Sequence, residues 1–558
     1  MRERRSISIN RWIILTATAL LALLVAMTNG WATDTFVIEG DIGFEDLGRY
    51  QLLPFDVPEG TTTIGVSYSY TTVSPTAETN GFFDPVLDIG IYDPEKFRGW
   101  TGSDSSSFVI SENRDLTTDG YAPGEIPGGE WNVELGVALI YPDMVFHYTV
   151  QIELGYEPLG EPFAWPQRED VVLSEQARWY MGDLHCHSSH SGKGASPDEI
   201  FDYASSIGLD FLAVTDHNNF SHRLYLGEEQ AAYPNLLLLY GEELTTYRGH
   251  ANIFNIVRPV DYHGTAPGYD INEVIEGIHH DGGYISPNHP GAPFVRVGGS
   301  YIGWGWAYPE TDVSLLDFYE VVNGPSVVYD WVPNLFNEFA ILQWEGFLSK
   351  GHRITAIGGS DDHQAGQGSD PLYSPLGIPA TMVYAEELSS QGIFDAIKAG
   401  HVYIIAEGPQ GPKIDFRARC DSRTAMVGDT VTGREIDFQV RVSGGLGRSL
   451  NFWKDGIPWI GHYSISIDQD PFVYTFTLKP VNEGRIRLEV RDGLYLSALT
   501  NPIYYAPGAV GWEAAHTQAS TLIKGAGDDS DLANSIVMFV PAVIFLLGWR
   551  RLQKTRKE

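Results

Sequence analysis

Cysteine is nearly absent. Only Cys186 and Cys420 occur in 558 residues, which excludes a disulfide framework and any zinc module built on cysteine. Basic residues are scarce as well: 36 Lys and Arg stand against 72 Asp and Glu, a formal net charge of -36. A surface of that average sign repels phosphate-rich polymers, so long nucleic acid is disfavoured as a partner. No G-x-S-x-G and no Walker A sequence occurs, which disfavours an elbow serine nucleophile and P-loop chemistry. No internal repeat is evident.

What is present is globular in character. With 43% hydrophobic and 12% aromatic residues, the chain is long enough for two to four domains, each with its own core. Both ends carry apolar runs. The start, "MRERRSISINRWIILTATALLALLVAMTNGWATD", places Arg2, Arg4, Arg5 and Arg11 before an apolar stretch and the small-x-small sequence Gly30-Trp31-Ala32. That pattern predicts a secretory signal over residues 1–32, with an N-terminal anchor as the alternative. The end predicts a stalk over 507–531, a transmembrane helix over 532–549 and a basic cytoplasmic tail over 550–558 with Arg550, Arg551, Lys554, Arg556 and Lys557. The expectation is a cell-membrane protein with a single C-terminal span and its catalytic ectodomain extracellular or periplasmic.

Between these ends the texture changes twice. Residues 33–165 show short alternating segments such as "TTTIGVSYSY" and "FHYTVQIEL" punctuated by Gly, Pro and Asp, which predicts an antiparallel β-sandwich or jelly roll. Over 175–405, strand-like runs alternate with amphipathic helices. In "SPDEIFDYASSIG", Ser196 suits an N-cap, Pro197 the first helical position and Glu199 a capping box. Such alternation implies a parallel sheet or barrel with reactive residues at the carboxyl ends of its strands. Alternation of period two returns over 406–506 in "IDFQVRVSG" and "RIRLEVRDG", predicting a smaller, Ig-like β-sandwich.

Histidine marks the chemistry. Thirteen of the 16 histidines fall between Asp183 and Ile405, many at the ends of strand-like runs. In "YMGDLHCHS" a period of two puts His185 and His187 on one face, where both can grip one ion. Further donors follow: Asp216 and His217 in "AVTDHNN", Glu242, Glu243 and His250 in "GEELTTYRGH", His289 in "YISPNHPG", and Asp361, Asp362 and His363 in "GGSDDH". Seven or more N and O donors exceed what one tetrahedral ion uses, so two or three divalent ions are implied, and this ligand mixture suits zinc, manganese or iron. His222, His279, His280, His352 and His401 read as solvated or helix-end residues. Glu242 and Asp362 read as supporting or surface carboxylates, and Cys186 as a small buried residue. Glu320 and Asn323 end another strand, as pocket or packing residues.

The ordered set H-x-H, T-D-H-N, G-x-E with G-H, N-H-P-G and G-S-D-x-H resembles the polymerase and histidinol phosphatase (PHP) superfamily of metal-dependent phosphoesterases over roughly residues 180–405. The flanks "FRGWTGS", "PGGEWNVELG" and "ALTNPIYY" resemble the CehA/McbA-type metallohydrolases of that superfamily. The resemblance implies a distorted (β/α)7 barrel between the two β-sandwiches. It also implies that His185, His187, Glu243 and Asp361 hold one ion, that Glu243 bridges to a second held by His250 and His289, and that His217 and His363 belong to a third. Members usually carry a Ser-Asp-Gly sequence shortly after H-x-H; here "HSGK" puts Gly192 in the acidic ligand's place, with His190 as a substitute.

The expected activity is hydrolysis of small phosphoesters, nucleotides or short oligonucleotides by a water activated between cations, some relatives being exonucleases. Glu243 and Asp361 serve the ions, His363 or His217 protonates the leaving group, and Arg248 grips an anion. The alternatives are a carbamate or aryl ester hydrolase, as in the CehA/McbA type, and a non-catalytic surface protein with a metal-stabilised barrel. Between Asp183 and Ile405, 8 basic residues face 28 acidic ones, a deficit that two or three divalent ions, about +4 to +6, do not cancel. The partner expected is therefore a small molecule.

Overall fold

The computed structural model describes residues 33–508 except 74–83, 166–169, 257–259, 267, 298–299, 330 and 369–373. The signal or anchor expected over 1–32, all but the first residues of the stalk, and the expected span and basic tail lie outside the described residues. The chain divides into two units, one taking Thr33–Asp46 and Tyr50–Trp165 among the described residues, the other Leu47–Arg49 and Asp170 onward.

In the first unit the period-two pattern becomes pleated sheet. Along Thr63–Val73, Ile64, Val66 and Tyr68 are buried while Ser67 and Ser69 are exposed, the sign of a strand covered on one face. Two four-stranded antiparallel sheets result. One runs in the order Thr33–Gly43, Val145–Gly155, Thr63–Val73, Ser107–Ser111; the other Tyr50–Val57, Gly129–Leu139, Val86–Tyr92, Phe97–Gly102. The Tyr68 hydroxyl of the first donates to the Leu87 carbonyl of the second at 2.8 Å.

The second unit is built around a mixed sheet. Arg178–Asp183, Phe211–Val214 and Leu237–Thr246 pair in parallel. All four residues of Phe211–Val214 are buried: Phe211 and Ala213 pack with Tyr180, Leu239 and Val383, and Leu212 and Val214 with Ile200, Phe201 and Leu238. Burial on both faces is what a continuous apolar run in a parallel sheet requires. The capping box at Ser196 and Glu199 forms and starts the helix Pro197–Ser206.

The expected (β/α)7 barrel is not seen, and this corrects the fold expectation. Strand predominates, the described residues hold five α-helices, and most neighbouring strands of the sheet run antiparallel. The reason is local. Leu237–Thr246 and Gly249–Phe254 are joined by only Tyr247 and Arg248, too few residues for the crossover helix that a parallel pair needs. Gly249 sits at φ +128°, and a Cβ there would meet the Gly305 carbonyl oxygen at 2.6 Å, so the hairpin depends on glycine. Phe318–Asn323 and Thr355–Gly359 form a separate parallel pair.

The expected C-terminal membrane span, and the cell-membrane placement built on it, find no support in the structure: no helix among the described residues is long and apolar enough to cross a membrane. The longest, Leu335–Ser349, has 15 residues, about 22 Å at 1.5 Å per residue, short of a hydrocarbon core about 30 Å thick.

Beyond Ile405 the sheet continues, because Val402–Ile405 pairs with Tyr495–Thr500, which leads to Gly484–Asp492 and Ser449–Lys454. A second antiparallel sheet, Arg423–Met426, Lys413–Cys420, Ile436–Ser443 and Phe472–Leu478, shares a core with it that includes Phe416, Phe438, Phe452 and Leu488. Helix Leu335–Ser349 is tied to these strands through Glu345, paired with Arg485 at 2.8 Å and with Arg487, and through Glu338, 2.9 Å from Arg491.

Candidate metal centre

The donors sit where strands end. His185 and His187 follow Arg178–Asp183, His217 follows Phe211–Val214, His289 follows Tyr284–Pro287, and Asp361 and His363 follow Thr355–Gly359; Glu243 and His250 lie on the two strands of the hairpin, opposite Asn252 and Thr245 respectively. Backbone bonds fix the meeting: the Asp361 amide donates to the His185 carbonyl at 2.8 Å, and the His187 amide to the Asp362 carbonyl at 2.8 Å.

The structure brings together His185, His187, His217, Glu243, His250, His289, Asp361 and His363. Their ligand atoms form four overlapping groups: His185, His187 and Asp361; His185, Glu243 and His289; His217, Glu243 and His250; and His187, His217 and His363. His250 thus groups with His217 and His289 with His185, a partition unlike the one the resemblance implies. Glu243 is the hub. Its Oε1 lies 3.4 Å from His185 Nε2, 3.3 Å from His250 Nδ1 and 3.5 Å from His289 Nε2. Its Oε2 lies 2.6 Å from His217 Nδ1 and 3.6 Å from His187 Nε2.

These residues fit a cation. His185 Nε2, His187 Nε2 and Asp361 Oδ1 make a triangle with edges of 3.2, 3.2 and 3.4 Å. Ligands about 2.05 Å from a tetrahedral ion lie roughly 3.3 Å from one another. A triangle of lone pairs at that spacing is electrostatically poor by itself, and a divalent ion satisfies all three.

Charge within the cluster is strongly coupled. Burial opposes ionisation of Glu243 and Asp361, but the surrounding imidazoles, His250 and His217 for Glu243 and His185 and His187 for Asp361, hold both well below the usual carboxylate range. His185 is also fully buried, yet Asp361, Glu320 and Glu243 hold it well above the usual imidazole range. His187 goes the other way, pushed down to about 3 by burial and by His363 and His217. Two backbones are strained: Asp361 at φ 60° and His289 at φ 31° lie in the left-handed region, which costs of order 1–3 kcal/mol each and concentrates at functional sites.

A supporting layer holds the donors, and much of it escaped the sequence reading. Glu320 accepts from His185 Nδ1 at 2.9 Å and from the His289 amide at 2.6 Å. Asn288 donates to Glu243 Oε1 at 2.7 Å, and Ser191 Oγ lies 3.2 Å from His187 Nδ1. Asn288 carried a usable signal, a polar residue beside His289 at the close of an apolar run; Ser191 carried none. Asp216 does not join the donors. It accepts from the Ser188 amide and the Ser188 and Ser191 hydroxyls, with His222 Nδ1 3.0 Å from its Oδ2. His222 is a helix-end residue, preceding the helix Arg223–Glu229, but it is buried rather than solvated, while His280 is exposed.

Other residues stand apart. His190 is buried with Nδ1 2.6 Å from Ser221 Oγ and enters none of the four groups, so it does not replace the acidic ligand missing at Gly192. The structure does not bring Arg248 to the cluster: it pairs with Glu310 at 2.9 Å and stacks over Tyr308. Glu242 is buried 3.8 Å from Arg223, and burial raises its carboxyl to about 8. Asp362 accepts three backbone amides of its own loop, from Gln364, Gly366 and Leu376.

The cluster opens on a cavity of about 360 Å³. Asp361 and His363 are the most accessible of the eight donors, at 29% and 39% of their side-chain surface. His363 Nδ1 lies 3.0 Å from the Asp361 carbonyl oxygen and donates to it, which leaves Nε2 for other partners.

No protein-family model and no curated protein matches the chain. Among solved structures, it is similar to a two-domain protein from Bacteroides vulgatus containing a predicted PHP-like metal-dependent phosphoesterase, at 20% identity over 62% of this chain and 99% of that one, TM-score 0.33. A protein from Bifidobacterium adolescentis named provisionally as a metal-dependent phosphoesterase matches at 16% identity over 32% of this chain and 87% of that one, TM-score 0.24. An amidohydrolase from Chromobacterium violaceum, with sulfate bound and no metal, matches at 16% identity over 35% and 93%, TM-score 0.21. None of the three bears on the CehA/McbA-type branch. Likeness at these values carries no chemistry to this chain, which rests on its own side chains.

Proposed function

We propose that this chain is a metal-dependent hydrolase of small phosphoesters. The observation that carries the reading is Glu243, within 3.6 Å of the ring nitrogens of five histidines at the mouth of a cavity. His185, His187, Asp361, Glu243, His289, His250 and His217 would hold two or three divalent ions, zinc, manganese or iron. Cations so held supply Lewis acidity, which makes water a nucleophile near neutral pH and offsets charge at the attacked centre.

The chain's own residues do the rest. Glu320 and Ser191 orient the His185 and His187 rings. His363, free at Nε2, delivers a proton to the leaving oxygen. In balance, one water oxygen bonds to phosphorus and loses a proton to solvent, the ester P–O bond breaks, the alcohol departs with the proton from His363, and solvent reprotonates His363. Long nucleic acid does not suit a region with 8 basic and 28 acidic residues.

A second reading, hydrolysis of a carbamate or aryl ester, is favoured by one observation: no Lys or Arg is among the described residues lining the cavity, so a neutral ester is served as well as an anionic one. The test is to assay phosphomonoesters, phosphodiesters and naphthyl carbamate with chelator and after restoring zinc, manganese or iron. Turnover that chelator abolishes and metal restores supports hydrolysis, and the preferred ester decides between the readings. Chelator-insensitive turnover, or none with any metal, overturns both.

A further inference from the structure

The cavity has two kinds of lining. The donors supply one part; Trp304, Phe336, Pro325, Val328 and Ala292 supply an apolar part. The apolar part is preformed. Asn334 accepts from the Phe336 amide and caps its helix, while the Asn334 side-chain amide donates to the Asn323 and Pro325 carbonyls at 3.2 and 3.0 Å. Farther along the same segment, Tyr495 donates to the Trp331 carbonyl and Arg491 pairs with Glu338. Trp304 is 52% exposed, a large apolar surface left in water at the rim of a polar site. Charge is missing from this part: Arg248 is engaged with Glu310, and the described lining holds no cation.

We infer that the substrate joins a single polar reacting group, seated at the donors, directly to a flat apolar group that packs against Trp304, Phe336 and Val328. This rests on the hydrolytic reading and narrows it. A second phosphate, as in a nucleoside diphosphate or an oligonucleotide, would lie against apolar side chains with no cation to pair it, a desolvation cost without return. A flat apolar group instead displaces water from Trp304 and Phe336.

The test compares benzyl with methyl phosphate, and benzyl with methyl acetate, on the metal-loaded full chain. Each pair releases alcohols of similar acidity, so the ratio reports binding of the apolar group rather than leaving-group chemistry. Propane-1,3-diyl bisphosphate is the third probe. The benzyl ester should exceed the methyl ester in kcat/KM by on the order of 10–100-fold, and the bisphosphate should show no advantage over methyl phosphate. Trp304→Ala and Phe336→Ala should each cut the benzyl-to-methyl ratio several-fold; Trp304, being exposed, serves if the Phe336 variant does not fold. Calorimetry gives a readout apart from turnover: benzylphosphonate should bind more tightly than methylphosphonate, with a negative heat-capacity change. Equal turnover of methyl and benzyl esters, an unchanged ratio in both variants, or preference for the bisphosphate overturns this inference and leaves the hydrolytic reading standing. Turnover of no ester overturns both.

Discussion

Glu320 stands behind His185: its Oε1 accepts from the ring Nδ1 at 2.9 Å, while its Oε2 accepts from the His289 amide at 2.6 Å. One buried carboxylate thereby fixes the tautomer of one donor and the backbone of another, the latter held at φ 31°. Removing such a partner weakens metal binding about 10–100-fold. Glu320→Ala should lower zinc affinity by that amount in a calorimetric titration while the far-ultraviolet dichroism stays unchanged. Unaltered affinity would remove Glu320 from the centre.

Gly359 lies under the same histidine. A Cβ there would fall 2.3 Å from His185 Cβ and 2.6 Å from Glu320 Oε1, closer than packed atoms come, so Gly359→Ala must displace one of them. The expected result is lost zinc affinity together with destabilisation of about 1–3 kcal/mol, read by titration and by denaturant unfolding. A variant that binds and folds like the parent would show that the two side chains have room to move.

The group His187, His217 and His363 contains no carboxylate. Three neutral imidazoles leave a dication's charge uncompensated, so this site should bind most weakly. Dialysis against a mild chelator followed by elemental analysis should leave two ions per chain. Three equally retained ions would contradict this ranking.

Away from the centre, Glu489 is fully buried between Arg487 and Arg491. Burial opposes its ionisation, but the two guanidinium groups win and hold the carboxyl below its ordinary 4.5. A carboxylate so depressed stabilises the fold above pH 4.5, and its contribution is lost as pH falls through the folded-state pKa. Glu489→Gln should therefore cost about 3 kcal/mol at pH 7, with the penalty shrinking as pH falls below 4.5. Urea unfolding at several pH values measures it; a penalty constant with pH would mean that packing, not charge, is responsible.

The donors were legible in the sequence because they follow buried apolar runs: "LDFLAV" leads to His217 and "ITAIGG" to Asp361, and a strand's end is where a polar side chain can leave the core. The capping box at Ser196 was legible because it is a purely local pattern. Strand direction was not. Helix and strand alternate in "DINEVIEGIHHDGGYISP" whether the strand then runs parallel or antiparallel, and only the two-residue connection at Tyr247 and Arg248 reveals the hairpin. His222 lies at a helix end, as one of its two readings had it, but its burial was not legible: nothing in "NNFSHR" shows that Asp216 lies 3.0 Å away. Arg248 neighbours His250 in sequence, but the turn carries its guanidinium to Glu310, so proximity along the chain misled.

The central claim is that His185, His187, His217, Glu243, His250, His289 and Asp361 hold divalent cations, which leaves His363 to deliver a proton. Anomalous diffraction from crystals of the chain grown with zinc or manganese tests it directly. The account predicts at least two peaks within the cluster, about 3.5–4 Å apart as in two-metal hydrolytic sites, with Glu243 between them. No peak there, or peaks only on surface carboxylates, would contradict it.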